Sequence, residues 1–235
     1  MGGWVMSFRG MKAVLLACSG IAALIAATAD ANAGGLAVRE QSAWGQGSSF
    51  AGVAAGGSLS AMFWNPATMT QIPGIQSESV LTGIMAYSAN SPTAAGPFLG
   101  LGGTGDTAQD AIVPAGYFSY QLNPNLWLGM SVNSPFGLSV SFPTTWAGSN
   151  YAAGSSYLKT YTATPSLAYR INDLISVGVG VQIQYAKADL SHCIGASCIP
   201  ATMTTLAELS GHDWGYGFTA GVTVTPTPTT TIGVG

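Results

Sequence analysis

The stretch "ISVGVGVQIQY" alternates without a break from Ile175 to Tyr185. In an extended strand, Ile175, Val177, Val179, Val181, Ile183 and Tyr185 share one face, and Ser176, Gly178, Gly180, Gln182 and Gln184 share the other. "WGYGFTAGVTV" repeats the pattern with Trp214, Tyr216, Phe218, Ala220, Val222 and Val224. "YTATPSLAY" sets Tyr161, Ala163, Pro165, Leu167 and Tyr169 against Thr162, Thr164 and Ser166. Period two is a strand signal, and each run has about the 9–11 residues that a tilted strand needs to cross a bilayer. A soluble sandwich alternates as well, but its wet face carries Lys and Glu. These faces carry neither, and only 6% of the 235 residues are charged, against about 25% in soluble domains. Hydrophobic residues make up 48%, yet no stretch after residue 33 offers the about 20 apolar residues of a membrane helix. The pattern predicts an all-β fold, a transmembrane antiparallel β-barrel. A net charge of −3 argues against a nucleic-acid partner.

The amino end reads as a signal peptide over residues 1–33. Arg9 and Lys12 supply its positive region, Ala13 to Ala29 its apolar core and Ala31-Asn32-Ala33 its cleavage site. Residues 34–77 do not alternate and are small and Gly-rich. Residues 78–235 read as a partial barrel, with strands near 78–88, 112–121, 126–141, 158–169, 174–186 and 213–225 and a seventh starting near Thr230. Long connections (89–111, 142–157, 187–212) alternate with the tight turns "NPN", "RIND" and "PTPT". That is the pattern of long outer loops and short periplasmic turns. It places residues 34–77 on the periplasmic side. Bacterial barrels have an even strand count, so the chain reads as the front part of a larger one.

Within the third strand, "NSPFG" (Asn133, Ser134, Pro135, Phe136, Gly137) interrupts the pattern. Pro135 cannot donate to a ladder and Gly137 lets the backbone bend. A bulge near the loop end accounts for this, and so does a kink that opens the wall. Cys193 and Cys198 in "CIGASC" form an even pair in an exported chain and read as a disulfide closing a small loop. Two thiols and the adjacent His192 make a poor zinc shell, so no metal is expected.

Catalytic motifs are weak. "GLGGTG" (Gly100–Gly105) lies in a Gly-rich loop without the strand and helix of a dinucleotide site, and "SYLK" (Ser156–Lys159) enters a strand. The histidines, His192 and His212, fall at the two ends of one expected loop. His212-Asp213 leaves a membrane lipid hydrolase as a minor alternative. The chain reads as a non-enzyme without a cofactor.

The amino segment narrows the choice. "AAGGSLSAMFWNPATM" places Phe63 and Trp64 directly before the Asn65-Pro66-Ala67 turn. With Glu40, the spaced Gly45, Gly47 and Gly52, the unit "LAYRINDLISVGVGVQIQYAKADL" and "DWGYGFTAGV", this run resembles the FadL family of outer-membrane transporters for long-chain fatty acids and other hydrophobic compounds. The resemblance covers residues 34–235 nearly end to end. It implies a 14-stranded barrel, of which about six or seven strands are present here, closed by an amino-terminal hatch over residues 34–77. It also implies a lateral exit at a kink in the third strand, which favours the kink reading of Asn133 to Gly137. On this basis Phe63 and Trp64 are candidate substrate contacts. Arg39 is the candidate partner for a carboxylate, since Lys159, Arg170 and Lys187 are the other basic residues after the leader. The expected partners are fatty acids or hydrocarbons, membrane lipids and lipopolysaccharide, in the outer membrane of a Gram-negative bacterium. A general porin is the alternative, and it requires an open lumen with charged constriction residues.

Overall fold

The computed structural model describes residues 34–91, 102–143, 146, 154–193 and 206–235. The leader reading for 1–33 and Cys198 of the expected disulfide lie outside the described residues. The chain divides into two units, Met1–Leu36 and Ala37–Gly235. Of the first, a single 3-10 turn at Gly34–Leu36 is described.

In the second unit eight strands form one antiparallel sheet. They are β1 (Ile75–Ile84), β2 (Ala111–Asn123), β3 (Leu126–Asn133), β4 (Gly137–Phe142), β5 (Gly154–Arg170), β6 (Ile175–Cys193), β7 (Leu206–Thr227) and β8 (Thr230–Val234). The order is β1-β2-β3-β5-β6-β7-β8, with β4 pairing only β5 among the strands. The tight turns hold themselves together locally. Asn123 Oδ1 accepts from Asn125 N at 2.9 Å, and Asn172 Oδ1 accepts from Leu174 N and Ile175 N at 2.9 and 2.8 Å.

Three expectations change. The third strand, expected to run unbroken over 126–141, is two strands on one track, both paired to β5 and interrupted at Ser134–Phe136. The first strand starts at Ile75 rather than residue 78, because Ile75 already pairs with Tyr120. The expected loop 187–212 is largely strand: β6 and β7 stay in register out to Cys193 opposite Leu206. Both histidines are therefore strand residues. The sequence hid this because "AKADLSHC" and "LAELSGHD" lack the clean apolar alternation of the segments below them.

The alternation sorts the two faces as expected. Ile112, Phe118, Leu128, Met130, Val181, Tyr216 and Phe218 point outward and are exposed, Phe218 by 84%. A contiguous apolar surface of this kind is far larger than the few hundred Å² that a water-soluble monomer tolerates, and it suits a hydrocarbon solvent. Ser119, Ser131, Thr160, Thr162, Thr164, Ser166, Ser176 and Thr223 point inward and are buried.

What buries them is the amino-terminal segment. It runs through α1 (Ala43–Gly47) and 3-10 turns at Val53–Ala55, Leu59–Phe63 and Pro66–Gln71. Turns Val53–Ala55, Leu59–Phe63 and Pro66–Gln71 together reach β1, β2, β3, β5, β6, β7 and β8. Seven strands laid flat span about 29 Å at about 4.8 Å spacing. So short a segment reaches all of them because the sheet curls around it into part of a barrel. The core is shared: Leu59, Met62 and Met69 of the segment pack with Val80, Ala115, Tyr117, Trp127 and Ala168 of the wall. Their burial supplies about 25 cal/mol per Å² of apolar surface. Trp127 is 1% exposed and its indole N–H donates to Ile72 O at 2.9 Å, which joins the wall to the end of the segment.

Candidate functional site

Asn65, Pro66 and Ala67 join the segment to the wall at β6 and β7. Asn65 is the N-cap of turn Pro66–Gln71, with Pro66 at the first helical position, where its missing N–H costs nothing. Its side chain is fully buried and makes three bonds. Oδ1 accepts from Ala67 N at 2.9 Å. Nδ2 donates to Ala54 O at 2.8 Å and to Val222 O at 3.0 Å. One amide thus closes its own turn, ties down an earlier turn and grips β7. The wall makes room for it. Gly178 and Gly221 are direct partners across β6 and β7. A Cβ at Gly221 would overlap Asn65 Oδ1, and one at Gly178 would overlap the Pro66–Ala67 backbone. The two glycines form a flat seat for the turn.

The interruption at Ser134–Phe136 is a break in the wall with defined edges. On one side β2 pairs with β3 only from Gly116 opposite Val132 onward. On the other, β4 meets the residues before β2, through a bridge of Ala108 with Val140 and a bond from Ser141 N to Thr107 O at 2.9 Å. Between these edges, Ala111–Ala115 of β2 face no strand on that side.

Backbone groups stranded at such a break need partners, and each finds one outside the ladder. Gln41 Nε2 donates to Ser134 O at 2.8 Å, while its Oε1 accepts from Ser134 N at 3.3 Å. The side-chain amide stands in for the missing strand neighbour. Val38 N donates to Pro135 O at 2.8 Å, and Ala37 bridges Phe136. The Thr160 hydroxyl donates to Phe136 O at 2.8 Å and accepts from Phe136 N at 3.0 Å. Behind Gln41 the cluster continues. The Tyr117 hydroxyl donates to Gln41 O at 2.6 Å and accepts from Asn133 Nδ2 at 2.7 Å. Asn133 Nδ2 also reaches Gln41 Oε1 at 3.2 Å. Gln41 is fully buried and Asn133 is 1% exposed. Residues 37–41 therefore close the break from inside. On the outward side of the same place lies a cavity of about 450 Å³, lined by Ser79–Leu81, Pro114–Gly116, Val132–Ser134 and Tyr161.

The other expected contacts lie elsewhere. Phe63 packs against the shared core and meets Trp64 edge-on, with centroids 4.9 Å apart. Trp64 also meets Phe50 at 5.7 Å, and the Arg39 guanidinium lies 4.8 Å over the Phe50 ring. Arg39, Phe50, Trp64 and Phe63 thus form one chain of contacts in the segment. Phe50 has φ +62°, a left-handed conformation that a bulky residue enters at a cost of about 1–2 kcal/mol. Arg170, by contrast, is committed to structure: it lies 4.9 Å over Trp127 and its guanidinium donates to Thr70 O. His212 lies on the outward face of β7 opposite Lys187.

Reasoning from sequence missed Gln41, Tyr117, Thr160 and Phe50. Tyr117 carried a signal, because Tyr117-Phe118 puts two aromatics on opposite faces and one must point inward. Gln41 carried none.

The model for the family described as outer membrane protein transport protein (OMPP1/FadL/TodX) matches residues 23–235. The long-chain fatty acid transport protein of Salmonella typhi is 32% identical over 130 residues, covering 49% of this chain and 30% of that protein. Outer membrane protein P1 of Haemophilus influenzae is 25% identical over 252 residues, covering 90% of this chain and 55% of that protein. The chain thus spans little more than half of these relatives at most. The crystal structure of a Pseudomonas aeruginosa FadL homologue superposes with a TM-score of 0.66 at 23% identity, over 85% of this chain and 52% of that one. That likeness shows a shared barrel fold. The curled antiparallel wall, its lipid-facing belt and the family-model match over residues 23–235 place the chain in the Gram-negative outer membrane, as a member of the OMPP1/FadL/TodX family of outer-membrane transport proteins.

Proposed function

We propose that the protein, within its complete barrel, takes up long-chain fatty acids or hydrocarbons across the outer membrane by passive diffusion. In this reading residues 34–77 act as the hatch, and the break at Ser134–Phe136 is a lateral exit. The observation that carries it is the coincidence at one place of a wall break, a closure from inside by Val38 and Gln41, and an apolar cavity on the lipid side. A hydrophobic solute pays about 25 cal/mol for every Å² that it exposes to water. A route that leaves sideways into hydrocarbon spares it that exposure, which a water-filled pore would not. The rings of Phe50, Phe63 and Trp64 offer apolar surface next to Arg39, whose charge suits a carboxylate. A solute reaches the exit once residues 37–41 leave Ser134 and Pro135.

The test is a reversible lock. Gln41→Cys and Ser134→Cys are combined in the full-length protein, with Cys193 and Cys198 replaced by Ser. Oxidation is expected to stop uptake of radiolabelled oleate into cells and reduction to restore it. Unchanged uptake in the oxidised protein would sink the lateral exit.

A further inference from the structure

The outward faces of β5, β6 and β7 carry three side chains in one cross-strand row: Lys159 opposite Lys187, and Lys187 opposite His212. All three are exposed. Six Lys and Arg occur in the sequence, and two of them, Arg9 and Lys12, precede residue 34, leaving four beyond it. Two of those four face each other directly. Like charges in that position repel, with Cβ atoms only about 5 Å apart. A chain this poor in charge has no general need of such a pair.

One acidic group pairs with the middle of the row, and its two ends keep their charge or polarity for another partner. Asp189 bonds the Lys187 ammonium at 3.0 Å and also accepts from the Ser210 hydroxyl at 2.6 Å. Asp213 falls on the opposite face of β7 and takes the backbone N–H of Trp214. Glu208 is four residues from His212, opposite Ser191. The Lys159 ammonium lies against Tyr157, 4.8 Å from its ring centre, and no carboxylate among the described residues pairs with it.

The position of the row says what would satisfy it. Two residues nearer the middle of the strands lies a row of aromatics: Tyr161 opposite Tyr185, and Tyr185 opposite Trp214, the last two rings 5.2 Å apart. From Tyr161 down to Tyr169 the outward residues are uncharged. Those eight steps make about 20 Å of height at the usual strand tilt, most of the about 25 Å apolar band of such barrels. The basic row lies about 5 Å beyond the aromatic girdle, at headgroup level. It is at the end where β4–β5 and β6–β7 join through the longer connections, the end that faces outside in this architecture. The fixed negative charges at that level of the outer leaflet are the phosphates of lipopolysaccharide.

We propose that Lys159, Lys187 and His212 form a binding site for a lipid A phosphate on the outer wall of the barrel. In this site Lys159 and His212 flank the phosphate and the Lys187 ammonium turns to it from Asp189, while the acyl chains lie along Tyr161, Tyr185 and Trp214. Lysine serves phosphate well as a point charge. This site is independent of the uptake reading and requires only the outer-membrane location.

The test uses the full-length protein in detergent, with bound lipid followed by native mass spectrometry. The probes are bisphosphorylated lipid A, dephosphorylated lipid A and inorganic phosphate. Wild type is expected to prefer bisphosphorylated lipid A. The pair Lys159→Gln/Lys187→Gln is expected to lower its affinity about 30-fold, at about fivefold per lysine. The pair Lys159→Arg/Lys187→Arg should keep it, and the preference should shrink with added salt. Equal affinity for the two forms of lipid A, or no loss in the Gln pair, overturns the site. Inorganic phosphate binding as tightly as lipid A overturns the lipid assignment. If the double Gln variant fails to assemble, Lys159→Gln alone leaves the Lys187–Asp189 pair intact and must still give the fivefold loss.

Discussion

At the scale of single residues, Asn65 bears on the most. Removing its amide leaves Ala54 O, Val222 O and Ala67 N without their partner inside a packed interface. Each buried group so stranded costs about 1–3 kcal/mol, less where relaxation lets another group in. Asn65→Ala is therefore expected to lower the unfolding free energy of the full-length barrel by about 2–4 kcal/mol in a urea titration. A loss within error of zero would mean that the three bonds are not made. Gly221→Ala tests the same junction from the wall. Its new methyl would meet Asn65 Oδ1, so the same titration should show a loss of about 1–3 kcal/mol. Combined with Asn65→Ala, which removes the obstacle, the Gly221→Ala penalty should fall well below its value alone. The Asn-Pro turn itself was legible in the sequence, because Pro66 fixes its own φ and Asn65 favours a local cap. That Asn65 also bonds β7, 157 residues away, was not. No local pattern encodes it.

At the scale of elements, the break between β3 and β4 sets local stability. Pro135 and Gly137 made an irregularity legible, since one removes a donor and the other loosens the backbone. The residues alone left bulge and kink open, and the family resemblance favoured the kink. The structure gives an open ladder, because Ala111–Ala115 of β2 do not continue across to Ser134–Phe136. It also shows why the chain tolerates this: Gln41, Val38 and Thr160 replace the missing ladder bonds. Gln41→Leu keeps the volume and removes the bonds. The amide of Ser134 is then expected to exchange hydrogen about fivefold faster or more, since its lost bond weakens local protection by about 1 kcal/mol or more. The amide of Leu128, in the paired middle of β3, should not change. Equal acceleration at both positions would mean global loosening rather than release of the break.

At the scale of the molecule, a single polarity pattern explains both surfaces of the wall. Val181 lies opposite Phe218 on the outward face, four residues below the Tyr185 row and midway along the uncharged band. Val181→Arg is expected to cost about 2–4 kcal/mol in lipid bilayers, the price of a charge near the midplane. In zwitterionic detergent, where the ring of polar headgroups is closer, the loss should be smaller; comparing the two unfolding titrations checks this. The sequence by itself determined where the middles of the membrane-crossing strands lie, which face of each meets lipid and where the tight turns fall. Those properties follow from alternation at period two and from Asn, Pro and Gly chemistry, all local. It under-read the reach of β6 and β7 past the membrane, because strands in water need no apolar alternation there. Only the tertiary structure decided how the amino-terminal segment packs against the wall. A segment without periodicity folds by fitting its caps, carbonyls and rings to partners over a hundred residues away, at seats such as Gly178 and Gly221. Sequence fixes composition along the chain, whereas those contacts depend on how the sheet curls, and curvature is a property of the assembled strands.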